Sequence, residues 1–161
     1  MDKTEYLTLE NFVIGTPVGR LFIAVENNQL IKLELNSEQQ LKLPSSDFAK
    51  VVSQQIQSYF NDAKFQFNLP LKQKGTEHQL KVWQALSNIP SGDVLTYGQL
   101  AKKIGSSARA VGNACRNNPL PLVVPCHRVV AASDIGGFSG EKQGVFLGIK
   151  RDLLNHEGLS Y

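Results

Sequence analysis

The chain has 161 residues, 42% of them hydrophobic, and a formal net charge of +3, enough for one domain or two small ones around a real core. No apolar run approaches the roughly 20 residues that cross a bilayer, and Met1-Asp-Lys-Thr-Glu-Tyr6 lacks the basic-then-apolar layout of a signal peptide. Two cysteines without Cys-x-x-Cys spacing supply neither a disulfide framework nor a zinc site, so a cytoplasmic location and no bound metal are expected.

Charge is uneven along the chain. Residues 1–74 carry eight Lys or Arg against eight Asp or Glu, whereas 75–161 carry nine against six. Between Asp93 and Asp134 there is no acid, while Lys102, Lys103, Arg109, Arg116 and Arg128 add five positive charges. Such a stretch points to an anionic partner; a solvated basic face is the plainer alternative.

The first 35 residues read as β structure. Thr4–Ile14, Arg20–Val25 and Leu30–Leu35 are β-branched and aliphatic runs, separated by Gly15-Thr-Pro-Val-Gly19 and Asn27-Asn28, both turn chemistry. From Ser46 or Asp47 as N-cap, Phe48, Val51, Val52, Ile56, Tyr59 and Phe60 follow helical spacing. Phe65-Gln-Phe-Asn-Leu69 alternates and predicts a closing strand, and Pro70–Gly75 reads as a linker. A capping-box pattern, Thr76-Glu-His-Gln79, opens a helix carrying Leu80, Trp83 and Leu86, which ends at Ile89-Pro-Ser-Gly92. Two short helices follow, about 97–104 and 107–117, joined at Gly105-Ser106. With basic residues on the second, they form a helix-turn-helix pattern. A last helix, roughly 145–155, stops at His156-Glu-Gly158, where Gly158 suits the residue just past the end.

Between two short apolar runs stands Pro125-Cys126-His127-Arg128. A thiol is a strong nucleophile only as thiolate, and nearby cationic or proton-accepting groups favour that form. A buried structural cysteine is the alternative. Prolines at 119, 121 and 125 and the charged pair His127-Arg128 argue against an ordinary core strand here.

The pentapeptide Pro125–Val129 resembles the active-site signature of the O6-alkylguanine-DNA alkyltransferases. So do Arg109-Ala-Val-Gly112, Arg116–Val124, Ile89-Pro-Ser-Gly92, Tyr97–Ala101, Gly137-Phe-Ser-Gly140 and Leu153–Gly158, in order over residues 75–158. The resemblance implies an α+β chain: a small strand-rich, RNase H-like N-terminal domain at 1–72 and a mostly helical C-terminal domain at 73–161 with a helix-turn-helix. The implied activity is single-turnover transfer of an alkyl group from O6-alkylguanine, and from O4-alkylthymine, to Cys126. The partner would be double-stranded DNA carrying alkylated bases, bound by a monomer, with no membrane and no cofactor. The glycine-rich segment 136–140 matches no phosphate-binding fingerprint, in keeping with that.

Roles follow by position. Cys126 would be the acceptor, and His127 and Glu157 would complete a relay through a bridging water. If 126–127 is extended, adjacent side chains point to opposite faces and cannot touch. Tyr97 would help turn the nucleotide and protonate the departing purine. Asn118 would brace the turn before the active-site strand, and Lys150 would support the thiolate or the leaving oxygen. A lesion on the base edge lies inside the duplex and has to be extruded; Arg109 would fill the gap from the minor groove. Ala110, Gly112 and Ala114 would let DNA approach closely, with Gln79 and Gln99 also facing it. Cys115, Ile135, Gly136, Phe138, Ser139 and Gly140 would form the base pocket.

Two residues depart from the family pattern: His78, where phenylalanine is usual, and Cys115, where methionine is frequent. A smaller wall at 115 would make room for bulkier alkyl groups. Three other readings have distinct signatures. A lesion-flagging protein without alkyl transfer would lack the thiol, and a helix-turn-helix regulator would have no use for Pro-Cys-His-Arg. A cysteine hydrolase would need an oxyanion-hole sequence.

Overall fold

Asn27 and Asn28, both left-handed at φ 51° and 59°, turn the chain between two strands. Consecutive left-handed residues match the strand twist in a two-residue hairpin, and asparagine tolerates that region better than most residues. The strands are β1 (Leu9–Thr16), β2 (Gly19–Glu26) and β3 (Gln29–Glu34), an antiparallel sheet in the order β1-β2-β3. The computed structural model describes residues 9–138 and 144–161. The chain divides into two units, Met1–Gln73 and Lys74–Tyr161.

In the first unit the buried sheet residues Phe12, Leu21, Ile23 and Leu30 share a core with Val52, Ile56 and Tyr59 of α1 (Asp47–Asn61). Ser46 caps α1 by accepting from the Ala49 N–H at 3.1 Å. The expected strand at 65–69 does not form. Its burial does alternate, but alternation reports which side chains face inward and not whether the backbone has a ladder partner. The segment instead runs beside α1: the Gln55 side chain accepts from the Asn68 N–H at 2.9 Å and donates to its carbonyl at 3.0 Å. Residues 70–72, read as part of a linker, hydrogen-bond on both sides of Leu30.

The second unit opens with α2 (Glu77–Ser87), whose Thr76–Gln79 capping box forms as the sequence indicates. Val82, Trp83 and Leu86 are buried, whereas Leu80, expected on the core face, is 40% exposed. Next come β4 (Leu95–Thr96), α3 (Tyr97–Ile104) and α4 (Ala108–Arg116). Gly105, left-handed at φ 69°, ends α3 and lets α4 turn back: the helix-turn-helix. β5 (Val129–Val130) pairs in parallel with β4, and α5 (Val145–His156) closes the unit, with Glu157 as its C-cap and Gly158 at φ 92°. Among the described residues no helix is long and apolar enough to cross a membrane.

Candidate active site

The approach to Cys126 is a braced loop. Asn118 accepts from the Leu120 N–H at 3.0 Å and donates through Nδ2 to the Val124 carbonyl at 2.9 Å, spanning the loop with one side chain. Leu122 is buried with φ 77°, a left-handed conformation that leucine adopts only under tertiary constraint. At Pro125 (φ −82°, ψ 69°) the chain makes an inverse γ-turn, closed by the Cys126 N–H on the Val124 carbonyl at 2.8 Å. Cys126–Arg128 then form one 3₁₀ turn. The extended segment assumed from the sequence is therefore replaced by a turn in which successive side chains diverge by about 120° instead of opposing each other. The inverse γ-turn and the three-residue helix leave β5 only Val129 and Val130.

His127 is fully buried, and its Nε2 lies 2.8 Å from Glu157 Oε2. Glu157 is also gripped by Arg128, Nε to Oε1 at 2.9 Å and Nη2 to Oε2 at 3.0 Å, while Arg128 Nη1 donates to the Ile89 carbonyl. The sequence suggested Arg128 as a positive neighbour of the thiol and part of the basic surface. It is neither: its charge is used on a buried carboxylate. No local signal could have paired residues 29 positions apart.

Burial raises the Cys126 thiol above the ordinary 9.0, offset in part by a hydrogen bond from Asn118 and by the Lys150 charge. Burial likewise holds the His127 imidazole below its usual value against the opposing pull of Glu157. At neutral pH the resting pair is thiol and neutral imidazole. With Nε2 engaged by Glu157, Nδ1 is the ring atom left to take a proton, and it has no hydrogen-bond partner among the described residues.

Lys150 is fully buried on α5, and its ammonium donates to the Val129 and Gly137 carbonyls, each at 2.8 Å. Tyr97 adds its hydroxyl to the same Gly137 carbonyl at 3.3 Å. Donors from α3 and α5 thus converge on one loop oxygen. Burial brings Lys150 down to about 8 and raises Tyr97. Gly136 is left-handed at φ 74°; a Cβ there would sit 3.0 Å from the Ala131 nitrogen and 3.1 Å from Tyr97 Cε2. Cys115, on α4, interacts electrostatically with Cys126, Tyr97 and Lys150, and burial raises its thiol too. Phe138 is buried and Ile135 half-buried. Ser139 and Gly140, expected in the pocket, lie outside the described residues. No group of His, Cys, Asp and Glu able to hold a metal occurs among the described residues.

Two sequence profiles cover nearly the whole chain: the ribonuclease-like domain of 6-O-methylguanine DNA methyltransferase matches residues 12–73, and its DNA-binding domain matches 77–159. The chain belongs to the 6-O-methylguanine DNA methyltransferase family. The constitutive methylated-DNA--protein-cysteine methyltransferase of Bacillus subtilis is 40% identical, covering 91% of this chain and 93% of its own. The crystal structure of Mycobacterium tuberculosis O6-methylguanine methyltransferase superposes with a TM-score of 0.79 at 33% identity, covering 92% of each chain. The same organism's protein solved in complex with DNA gives 0.75 at 35%, with 92% of each chain covered.

In this family member the residues expected to face DNA divide into two groups. Arg109, Lys102, Lys103 and Arg116 are exposed on the helix-turn-helix, and Ala110 and Gly112 are half-buried beside Arg109. Ala114 is not on that surface. It is 1% exposed, and its carbonyl accepts from Trp83 Nε1 at 2.9 Å, so its small size serves the packing of α4 on α2. Gln79 and Gln99 each accept from an N-cap N–H at 2.9 Å, closing the capping boxes of α2 and α3. The pattern Thr96-Tyr-Gly-Gln99 carries the second box in plain view.

Proposed function

We propose that the protein repairs alkylated double-stranded DNA by moving the alkyl group from O6 of guanine, and from O4 of thymine, to Cys126, once per molecule. The observation that carries this reading is the buried row Arg128–Glu157–His127, which adjoins Cys126 and leaves His127 Nδ1 to exchange a proton. Glu157, held by Arg128, orients the imidazole, as the third member of a nucleophile-base system does. Sulfur attacks the alkyl carbon as the carbon–oxygen bond breaks. The thiol proton passes to His127, through a water in the reading that the family resemblance implies, and the purine departs with the bonding electrons. Tyr97 supplies a proton to the purine, the imidazolium restores the tyrosine, and the net products are a thioether and guanine. A thioether is a poor leaving group, so the reaction stops there.

The base reaches a buried sulfur only by leaving the stack. Exposed Arg109, flanked by Ala110 and Gly112, enters the minor groove and fills the gap, while Lys102, Lys103 and Arg116 hold phosphates without reading sequence. Cys115, Ile135, Gly136, Phe138, Ser139 and Gly140 receive the base, and Asn118 and Lys150 hold the loop and thiol around it. We assign this chemistry to residues 73–161 and a supporting role to 1–72, in a monomer acting in the cytoplasm.

The test is mass spectrometry of the protein after mixing with a duplex carrying O6-methylguanine. One methyl group on the peptide containing Cys126 is expected, and Cys126→Ala should remain unmodified while still binding the duplex. Methylation persisting in Cys126→Ala, or found on Cys115, overturns the assignment. Binding with no transfer at all points to a lesion-flagging protein.

A further inference from the structure

His78 stands in the first turn of α2, and its Nε2 lies 2.7 Å from the Ser106 hydroxyl, 28 residues along the chain. Ser106 is the middle of the connection Gly105-Ser106-Ser107 between α3 and α4. Its N–H donates to the Ala101 carbonyl at 2.9 Å, tying it to α3. The following residue, Ser107, caps α4 by accepting from the Ala110 N–H at 3.2 Å. The connection is thereby fastened to α3 through its backbone, to α4 through Ser107 and to α2 through His78.

A second link joins α2 and α4 at the far end of α4, where Trp83 Nε1 donates to the Ala114 carbonyl at 2.9 Å. His78 and Trp83 are five residues apart on α2, about 7.5 Å along its axis. The bond at Ala114 ties the C-terminal part of α4 to α2, and the bond made by His78 ties the connection that leads into its N-terminal end. Arg109 lies three residues beyond Ser106, close to the fastening made by His78 and remote from the one made by Trp83.

We propose that the His78–Ser106 hydrogen bond sets the direction of α4 against α2, and that His78 is thereby a positioning residue for Arg109 on duplex DNA. The bond suits either ring tautomer, because a serine hydroxyl both donates and accepts. A phenylalanine at 78 would leave the Ser106 hydroxyl without its tie to α2. The inference rests on the reading of Arg109 as a DNA-contacting residue, and the test separates the two.

The full chain is compared with His78→Phe, Ser106→Ala and the double variant, each with and without Arg109→Ala. Two rates are measured for every variant: methyl transfer from O6-methylguanine in a duplex at sub-saturating DNA, and benzyl transfer from free O6-benzylguanine. Each single variant should slow the duplex reaction by about threefold or more, the scale of coupling between residues in contact. The double variant should be no slower than the singles, and the free-base rate should be unchanged. Arg109→Ala should cost less in the His78→Phe background than in the native one. Unchanged duplex rates overturn the proposal, and so does a parallel fall on the free base, which would mark a fold effect. A loss in His78→Phe with none in Ser106→Ala also overturns it, because His78 would then be touching DNA itself. If Arg109→Ala alone leaves the duplex rate intact, the reading of Arg109 fails instead.

Discussion

Arg128 holds Glu157 with two of its nitrogens, Nε at 2.9 Å and Nη2 at 3.0 Å, and the carboxylate it holds is completely buried. A charge in that position is tolerated because it is paired; removing the arginine takes two charge-assisted hydrogen bonds from a buried carboxylate. Arg128→Ala should destabilise the protein by about 3–5 kcal/mol, the range for breaking a buried pair. Urea unfolding measures this, and a loss below about 1 kcal/mol would mean the pair is solvated in practice.

Burial holds both thiols above the ordinary 9.0. The folded protein therefore keeps protons that the unfolded chain releases, and stability should fall as pH rises beyond about 9. Lys150 has the opposite sign: lowered from 10.5 to about 8, it lets the unfolded chain bind the extra proton, so its contribution grows with pH across that window. Two thiols outweigh one amine. In Cys115→Ala the alkaline loss of stability should be shallower than in the native protein, read by thermal unfolding at a series of pH values. Superimposable slopes would show that Cys115 does not titrate differently on folding.

Gly136 combines φ 74° with unusually tight room for a Cβ, 3.0 Å from the Ala131 nitrogen and 3.1 Å from Tyr97 Cε2. Gly136→Ala meets both a left-handed penalty of about 1 kcal/mol and a clash that pushes the loop off Tyr97. Alkyl transfer should fall at least about tenfold, equivalent to about 1.4 kcal/mol, with the far-ultraviolet spectrum unchanged. Native transfer rates in this variant would show that the loop conformation is immaterial to the reaction.

Arg109 offers a comparison between substrates. At saturating DNA, Arg109→Ala should lose about tenfold or more in single-turnover transfer on duplex, because extrusion costs a few kcal/mol. On single strands and free O6-benzylguanine the loss should be small. Equal losses on all three would assign Arg109 to the pocket or the fold.

Local features were legible in the sequence and distant partnerships were not. The Thr76–Gln79 box, the hairpin at Asn27-Asn28 and the glycine between α3 and α4 are each written within four residues, and each forms. The segment 65–69 misled because an alternating pattern specifies an inward face and leaves the hydrogen-bond partner open; Gln55 took that role. Ala114 looked like a small residue for DNA because side-chain size does not say which face of a helix it occupies. The same limit hid Arg128: charge is visible along the chain, but Glu157 comes to it only when α5 folds back. Cys126 and His127 stood out by chemistry, yet their turn geometry follows from prolines and a bracing asparagine whose combined effect is tertiary.

The raised pKa of Cys126 has a bearing on how long the protein lasts in the cell. A thiolate open to solvent reacts with peroxides, aldehydes and any small electrophile that passes, and a protein with one acceptor and no means of regenerating it could be inactivated before it met a lesion. Only 6% exposed and kept as the thiol, Cys126 is a poor target for such reagents. In the repair reaction proposed above, reactivity would then depend on what occupies the site, so that chemical shelter and selectivity for damaged bases would come from the same buried position.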